Sequence, residues 1–398
     1  MDVVRFFSYQ ELMAEGDEMA AYTVFATATM GLESVVAKEI KALGFENIEV
    51  ENGRVRFQAD EFGIARANLW LRTAARVKIL VGEFDAFTFD ELFENTKALP
   101  WGDWLPKDAA FPVLGRSVKS KLFSISDCQA IVKKAVVEKM KQQYPVSWFE
   151  ETGAEYRLEI ALHKDHAEIT LDTSGEALHK RGYRTMQNIA PLKETLAAAM
   201  LSLANWKPDM PLHDPFCGSG TIPIEAAMIA QNIAPGVNRS FAFEGWEWFT
   251  NQAHKQALVE AEDLADYDAA FDITASDIDH KMVELTRHNA MEAGFPDQIY
   301  IKQMHALDFS SSSPRGVLIG NPPYGERMNE KEEVEELYRS LGEKMKHYPH
   351  WSTYILTSHE KFELLYGKSA TKRRKLYNGN MKTQFYQFWG ERMPRQNG

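Results

Sequence analysis

The stretch PLHDPFCGSGTIPIEAAMIA, residues 211–230, decides the fold of this protein. A short strand ends at Asp214, a turn with two glycines follows, and a largely apolar helix begins near Thr221. Gly218 and Gly220 allow the backbone to approach a ligand closely at the helix N-terminus. The stretch contains neither the Gly-Lys-Ser/Thr of a Walker loop nor a complete G-x-G-x-x-G dinucleotide motif. It therefore predicts either a binding loop of another kind or an ordinary tight turn.

Strands and long helices alternate around this stretch from residue 173 onward. The helical pattern PLKETLAAAMLSLA precedes it, and ITASDID, KMVELTRHNAMEAG, IYIKQM, GVLIGNPP, VEELYRSLGEKM and STYILTS follow it. Such alternation predicts a doubly wound, mostly parallel α/β sheet of the Rossmann-like kind. Ligands of these sheets bind at the carboxyl ends of the strands, where the glycine turn lies.

A second acid, Asp277 in SDID, is predicted to end the strand that follows. It is suited to bind ribose hydroxyls, with Ile278 beside an adenine ring, as expected for a nucleoside cofactor without a pyrophosphate. The 63 residues from Asp214 to Asp277 exceed the roughly 20 of a compact dinucleotide unit. An insertion is therefore expected between the two acids.

The sequence Asn321-Pro322-Pro323-Tyr324 follows the apolar strand GVLIG. Two prolines end the strand and leave free carbonyl groups at its end. The Asn321 side-chain oxygen and the Pro322 carbonyl can accept both hydrogens of an exocyclic amine, and Tyr324 can stack on a base. The alternative is a strand-terminating turn. The functional interpretation is methyl transfer to a base amine, which requires neither a strong base nor a metal.

Shorter strands and helices in residues 20–172 predict small α+β layers. Helices are expected at 31–43, 60–75, 88–98 and 126–142, and strands at TVFATA, VRF, VKILVGEF, FPVLGRSV, YRLEIAL and HAEITLD. Residues 1–19 are expected to form a peripheral acidic arm.

Composition excludes several classes of protein. With 44% hydrophobic and 26% charged residues the chain is not disordered. It has no apolar run of membrane-spanning length and no secretory pattern at its start, so we expect a cytoplasmic protein without a membrane partner. Two distant cysteines, Cys128 and Cys217, fit a reducing compartment.

The net charge of −12 disfavours non-specific coating of nucleic acid, but two regions are basic. Residues 66–141 contain 13 basic and 9 acidic residues, and residues 368–382 contain 6 basic and no acidic ones. Each region is either a solvated face or an RNA contact.

Two other features lead to no functional assignment. His163 and His166 are expected on opposite faces of one strand with no further ligand nearby, so no metal is assigned. Cys217 has no activating base in the sequence and is interpreted as a packing residue.

At these motifs the chain resembles class I S-adenosylmethionine-dependent amino-methyltransferases. The resemblance implies an S-adenosyl-L-methionine loop in DPFCGSGT, a ribose acid at Asp277, an adenine-contacting acid at Asp308 in ALDF, and a target-amine motif at Asn321, Pro322, Pro323 and Tyr324. In APLKETLAAA, it implies a helix that closes the methionine end with Glu194 and Thr195. The implied cofactor-binding loop residues are Asp214, Phe216, Cys217, Gly218, Ser219, Gly220 and Thr221.

LHKRGYR, IAPGVNRSFAFEGW and NPPYGERM further resemble RNA guanine-N2 methyltransferases with a THUMP domain, those of bacterial 23S ribosomal RNA above all. The implied domains are an arm (1–19), a ferredoxin-like domain (20–65), a THUMP domain (66–172) and a methyltransferase domain (173–398). The implied RNA-binding residues are Arg116, Lys119, Lys121, Lys133 and Lys134, and the second basic region adds Arg373 and Arg374. Two alternatives stay open: an adenine-N6 DNA methyltransferase, and a non-catalytic RNA-binding assembly factor.

Overall fold

The computed structural model describes residues 21–184, 191–325 and 331–393. The chain divides into two compact units. The described part of the first comprises residues 21–27, 37–178 and 239–260, and the second contains 28–36 and the remainder. The predicted arm, residues 1–19, lies outside the described residues. Within the described ranges no helix has the length and apolar character needed to cross a membrane.

One seven-stranded sheet organises the first unit, in the order β2-β3-β1-β4-β7-β6-β5. Its strands are β1 (Tyr22–Thr27), β2 (Glu49–Glu51), β3 (Arg54–Ala59), β4 (Arg76–Asp85), β5 (Val113–Val118), β6 (Leu158–His163) and β7 (His166–Asp172). Strand β4 pairs with both β1 and β7, so the sheet is continuous across the two predicted N-terminal domains. The proposed domain boundary at 65/66 falls inside a helix, and the domain limits stay a prediction.

The helices of this part of the chain are α1 (Glu33–Ala42), α2 (Glu61–Trp70), α3 (Phe89–Ala98), α4 (Trp101–Trp104), α5 (Ile125–Gln143) and α8 (Asn251–Leu264). Asp60 caps α2 by accepting from the Gly63 amide, and Thr88 and Glu91 form a capping box at α3. The prediction that α2 extends to residue 75 was wrong. Leu71 is already extended, and Thr73 bonds instead to the Glu39 carboxylate.

The prediction that His163 and His166 share one strand was also wrong. Lys164 and Asp165 both adopt left-handed backbone angles and form a two-residue hairpin turn, which pairs His163 with His166 across β6 and β7.

A second seven-stranded sheet organises the second unit, in the order β10-β9-β8-β11-β12-β14-β13. Its strands are β8 (Leu212–Asp214), β9 (Ile273–Asp277), β10 (Tyr300–Gln303), β11 (Gly316–Gly320), β12 (Trp351–Thr357), β13 (Lys372–Asn378) and β14 (Met381–Phe388). Strands β10, β9, β8, β11 and β12 are parallel to one another. Strand β14 is antiparallel to both of its neighbours, β12 and β13. The predicted doubly wound, mostly parallel sheet is confirmed.

The remaining helices cover both faces of this sheet. They are α6 (Glu194–Ala204), α7 (Thr221–Ala230), α9 (His280–Glu292), α10 (Lys331–Met345) and α11 (Phe362–Tyr366). Val317 and Ile319 of β11 belong to one apolar core and Leu318 to the other, because successive strand residues point to opposite faces. Strand β11 is therefore buried on both sides, which explains its uninterrupted apolar sequence.

Candidate active site

The glycine turn and the Asn-Pro-Pro-Tyr segment leave the same edge of the sheet. Strands β8 and β11 are parallel neighbours, with Leu318 opposite His213. Asp214 at the end of β8 therefore lies beside Gly320, which immediately precedes Asn321. A Cβ atom on Gly320 would lie 2.9 Å from the Phe216 ring and 3.3 Å from Asp214 Oδ1. Glycine at this position allows the two segments to approach each other.

The turn between β8 and α7 is anchored to the end of β9. The Cys217 amide donates to the Ser276 carbonyl at 2.9 Å, and the Gly218 amide donates to Asp277 Oδ2 at 3.0 Å. Gly220 has a φ of 83°, and a Cβ atom there would lie 2.8 Å from Thr286. The predicted loop residues are thus brought against the predicted ribose acid.

Asp277 is half-buried and oriented by the backbone. Its Oδ1 accepts from the Asp279 amide at 3.0 Å, while its Oδ2 accepts from Gly218. Each carboxylate oxygen keeps a further lone pair for a ligand hydroxyl. The neighbouring Ile278 is 64% exposed, so its side chain is accessible to a flat ring.

Two buried carboxyl groups lie in this unit with little compensating charge. Burial raises the pKa of Asp214 to about 8, and the charge of Asp277 adds to the increase. Burial also raises the pKa of Glu194 to about 7, against the opposing effect of Arg184, whose Nη1 lies 3.1 Å from Glu194 Oε1. Among the described residues Glu194 Oε2 has no hydrogen-bond partner. Both carboxyl groups would gain from a cationic ligand.

The other predicted cofactor-binding residues occupy different environments. Thr195, Ser219 and Thr221 are buried, and Asp308 is exposed at the end of a short 3₁₀ helix, Ala306–Asp308. Cys217 is buried with its Sγ 3.5 Å from Thr286 Oγ1, and burial raises the pKa of its thiol. A thiol held neutral in this way is a packing group rather than a nucleophile.

The Tyr324 hydroxyl donates to Asn321 Oδ1 at 2.5 Å. Sequence reasoning missed this bond, which involves the same side-chain oxygen that was predicted to accept from a target amine. The Tyr338 hydroxyl donates to the Pro323 carbonyl at 2.7 Å and so attaches the segment to α10. Residues 326–328 of NPPYGERM lie outside the described residues.

His213 is a further residue that the sequence analysis missed. Its Nε2 lies 2.9 Å from Ser276 Oγ, and burial lowers its pKa to about 3. The neutral ring therefore connects β8 to β9 directly below the two acidic strand ends. A histidine immediately before the acidic end of a predicted parallel strand was the available signal.

The basic residues of the first unit that were predicted to bind RNA differ in their exposure and in their contacts. Lys119, Lys121 and Lys134 are exposed, and Arg116 remains 60% exposed at its side chain despite a 3.3 Å contact with Glu159. Lys133, by contrast, donates to the Phe111 carbonyl and to Glu151 and lies over the Phe111 ring. Its ammonium group has a structural role in this arrangement.

The second basic region is an edge strand, β13. Arg373 pairs with Glu363 at 2.9 Å, and Arg374 donates to Ser34 Oγ at 2.9 Å. Lys372 and Lys375 are exposed on the same strand.

The expectation that no further metal-ligating side chain lies near His166 was wrong. Glu83, His166 and Glu168 offer ligand atoms within 4.8 Å of one another. However, Arg54 donates to both oxygens of Glu168, at 2.5 and 2.6 Å, so that carboxylate already has a counter-charge. We assign no metal to this group.

Comparison with known proteins identifies this architecture. Residues 181–387 match the RMKL-like methyltransferase domain, residues 23–78 the RlmL ferredoxin-like domain, and residues 86–172 the THUMP domain. The chain belongs to the RMKL-like methyltransferase family. The predicted order of domains, ferredoxin-like, THUMP and methyltransferase, is that of the three matches.

Two proteins similar to this chain have names that refer to the methylation of RNA. It is 56% identical to a Bacillus subtilis protein named "Putative RNA methyltransferase YpsC", over 95% of this chain and 98% of that one. It is 34% identical to the Ribosomal RNA large subunit methyltransferase K/L of Syntrophotalea carbinolica, over 92% of this chain and 53% of the relative.

Two solved structures share the whole fold of this family member. One, described as a predicted N6-adenine-specific DNA methylase from Listeria monocytogenes, is 54% identical with a TM-score of 0.90, covering 94% of this chain and 97% of that one. The other, SMU.472, described as "a putative methyltransferase complexed with SAH", is 48% identical with a TM-score of 0.89, covering 94% and 99%.

Proposed function

We propose that this protein transfers a methyl group from S-adenosyl-L-methionine to the exocyclic N2 amine of a guanine in RNA, with 23S ribosomal RNA as its substrate. The observation that carries the proposal is the position of Asn321 and Tyr324 beside the glycine turn, at the carboxyl ends of adjacent strands. Hydrogen-bond acceptors for an amine are thereby next to a predicted nucleoside site.

The residues present fit S-adenosylmethionine, which carries a sulfonium and an ammonium charge. Among the described residues, one buried oxygen of Glu194 has no hydrogen-bond partner and the buried Asp214 has no cationic partner. Asp277 keeps lone pairs for ribose hydroxyls, and Ile278 offers an apolar face for adenine. The SAH complex of a 48% identical methyltransferase supports the same cofactor here.

When bound, S-adenosylmethionine supplies an electrophilic methyl group. The chain contributes position and electrostatics. We assign the target-base role to Asn321, Pro322, Pro323 and Tyr324. Asn321 Oδ1 and the Pro322 carbonyl would accept the two amine hydrogens, which favours a pyramidal nitrogen with its lone pair available. The Tyr324 ring would stack on the base.

The remaining cofactor-binding roles are proposals of the same kind. The turn residues Phe216, Cys217, Gly218, Ser219, Gly220 and Thr221 would shape the cofactor pocket, with Thr195 beside Glu194 and Asp308 near the adenine. Of the basic residues, we retain Arg116, Lys119, Lys121, Lys134, Arg373 and Arg374 as RNA contacts. We remove Lys133 from this set because its ammonium group contacts Glu151 and Phe111 and its side chain is only 32% exposed, whereas Arg373 stays 64% exposed beside Glu363.

Two acceptors would fit either guanine N2 or adenine N6. The choice of guanine rests on the resemblance of LHKRGYR, IAPGVNRSFAFEGW and NPPYGERM to guanine-N2 enzymes, since Asn-Pro-Pro-Tyr alone is shared with adenine-N6 enzymes. The choice of RNA is supported by the match to a THUMP domain and by the ribosomal RNA enzyme at 34% identity.

A methyl-transfer assay tests the proposal directly. The protein is incubated with S-adenosylmethionine labelled in its methyl group and with either large-subunit ribosomal RNA or genomic DNA, and the nucleic acid is digested to nucleosides. We expect label in N2-methylguanosine from RNA. Label in N6-methyladenine from DNA would support the rival enzyme, and cofactor binding without transfer to either would support an assembly factor.

A further inference from the structure

Three loops of the first unit meet at one end of its sheet and form what we call the three-loop tip, residues 86–88, 119–124 and 164–165. Asp165 holds them together. Its carboxylate accepts from the Lys121 amide at 2.6 Å, its carbonyl accepts from the Ala86 amide at 2.8 Å, and its amide donates to Ser120 Oγ at 3.0 Å. The tip is therefore a defined surface rather than three independent loops.

The tip exposes aromatic rings next to lysines. The Phe123 side chain is 81% exposed and Phe87 is 44% exposed. Lys119 and Lys121 lie four and two residues before Phe123 in the sequence, and Lys164 is exposed on the adjacent hairpin turn. The Lys121 ammonium lies 4.9 Å from the centre of the Phe87 ring. At 81% exposure Phe123 adds little to the core, and together with Phe87 it gives the tip an exposed aromatic surface of the kind that marks interaction sites.

The acidic groups around the tip already have local partners. The Glu91 carboxylate accepts from the Phe87 and Thr88 amides at 2.7 and 3.1 Å, and Asp85 contacts His166 Nδ1 at 2.8 Å. The exposed Asp90 and Asp127 lie in the first turns of α3 and α5, where they complement the helix N-termini. The lysines are thus the charges best placed to meet an incoming polyanion.

We propose that the three-loop tip binds an unpaired segment of RNA, with a base stacked on Phe123 and phosphates near Lys119, Lys121 and Lys164. Interleaved cations and exposed aromatic rings suit single strands, because every base has a face that can stack and the phosphates follow at regular distances. In a duplex the base faces are covered by their neighbours. The proposal rests on the proposed function in taking RNA as the polymer, and it adds a binding residue, Phe123, that no sequence motif indicated.

The test is the affinity of the full-length protein for a fluorescently labelled unpaired RNA oligonucleotide and for a blunt RNA duplex of the same length, measured by anisotropy. Phe123→Ala should weaken binding of the unpaired strand about 5- to 100-fold and change duplex binding little. Phe123→Tyr should bind like the parent, since it keeps the ring. Trp148→Ala is the matched control, because Trp148 is 74% exposed in the same unit but lies outside the tip.

Salt dependence separates stacking from charge. Lys121→Gln should reduce the slope of log affinity against log salt by about 0.7 for a single strand, whereas Phe123→Ala should leave it unchanged. Unchanged affinity of Phe123→Ala, an equal loss for Trp148→Ala, or an equal loss for duplex and unpaired RNA would each overturn the proposal.

The same variants distinguish this proposal from the proposed function. If the parent protein methylated DNA rather than RNA but bound unpaired RNA through Phe123, the enzymatic assignment would fail and the tip would stand. If RNA were methylated at N2 while Phe123→Ala bound it normally, the tip would fail and the enzymatic assignment would stand.

Discussion

The bond from the Tyr324 hydroxyl to Asn321 Oδ1 changes how the proposed target-amine site should operate. The hydroxyl donates to the oxygen that the proposed target amine would use. A base amine entering the proposed site would compete with the hydroxyl for this oxygen or use its second lone pair, while the ring remains available for stacking. Hydroxyl and ring consequently have separable effects, which substitutions can resolve.

Tyr324→Phe removes the competing donor and keeps the ring. We expect single-turnover methylation with both substrates saturating to stay within a few-fold of the parent. Tyr324→Ala should be slower, because it loses base stacking of about 1 to 3 kcal/mol. Rates from quenched-flow assays on folded variants decide the matter, and a Phe variant as slow as the Ala variant would give the hydroxyl a direct role in transfer.

Asn321→Ala removes one of the two proposed acceptors and leaves the glycine turn intact. By analogy with removal of one preorganised polar contact, we expect turnover to fall about 100- to 1000-fold. Affinity for S-adenosylmethionine, measured by calorimetry, should scarcely change. Methylation by this variant at the parent rate would make the two-acceptor mechanism untenable.

At the scale of elements, helix α5 carries two adjacent lysines with different environments. Lys133 contacts Phe111 and Glu151, whereas Lys134 is exposed. The helical rotation of about 100° per residue separates them, so a basic run in sequence is not a uniform basic face. The two lysines are adjacent in sequence, but only the structure shows that they differ in exposure and in contacts.

The substitutions Lys134→Gln and Lys133→Gln form a matched pair. We expect Lys134→Gln to weaken RNA binding and reduce its salt slope, because fewer counterions are released. Lys133→Gln should instead lower the melting temperature and leave the salt slope unchanged. Filter binding at several salt concentrations, together with thermal unfolding, checks both; a lower salt slope for Lys133→Gln would restore it to the RNA contacts.

At the scale of the whole molecule, buried acids should couple stability to pH and cofactor. The folded-state pKa values of Glu194 and Asp214, about 7 and about 8, lie above the values near 4 of an unfolded chain. The folded protein therefore holds these protons more tightly, and the two groups make it less stable as pH rises from about 4 to 8. A cationic ligand binds better once they are ionised.

The increase in melting temperature caused by saturating S-adenosylmethionine should therefore grow between pH 6 and pH 9. The Glu194→Gln variant should show a smaller change over this range, since one titrating group is gone. Differential scanning calorimetry with and without cofactor measures both. A cofactor effect that is constant with pH would contradict the assignment of these two carboxyl groups to the cofactor.

The amino-acid pattern by itself predicted the doubly wound sheet, its elements from α6 to β12 in chain order and the residues at its carboxyl edge, but not the antiparallel pair β13 and β14. The periodicity of hydrophobic residues and the amino-acid composition of a strand indicate whether it is buried on both faces. The glycine and proline motifs indicate at which residues the strands end. GVLIG, DPFCGSGT and NPPY therefore indicated both fold and site before any contact was known.

Only the tertiary structure decided which polar groups already have partners. The bond from Tyr324 to Asn321, the contact of Lys133 with Glu151 and the Glu194 oxygen that has no partner among the described residues all depend on three-dimensional distances. The exposed ring of Phe123 is likewise visible only once three loops are assembled around Asp165. Burial and pairing set the charge and availability of a side chain, and both arise from contacts that a linear pattern does not contain.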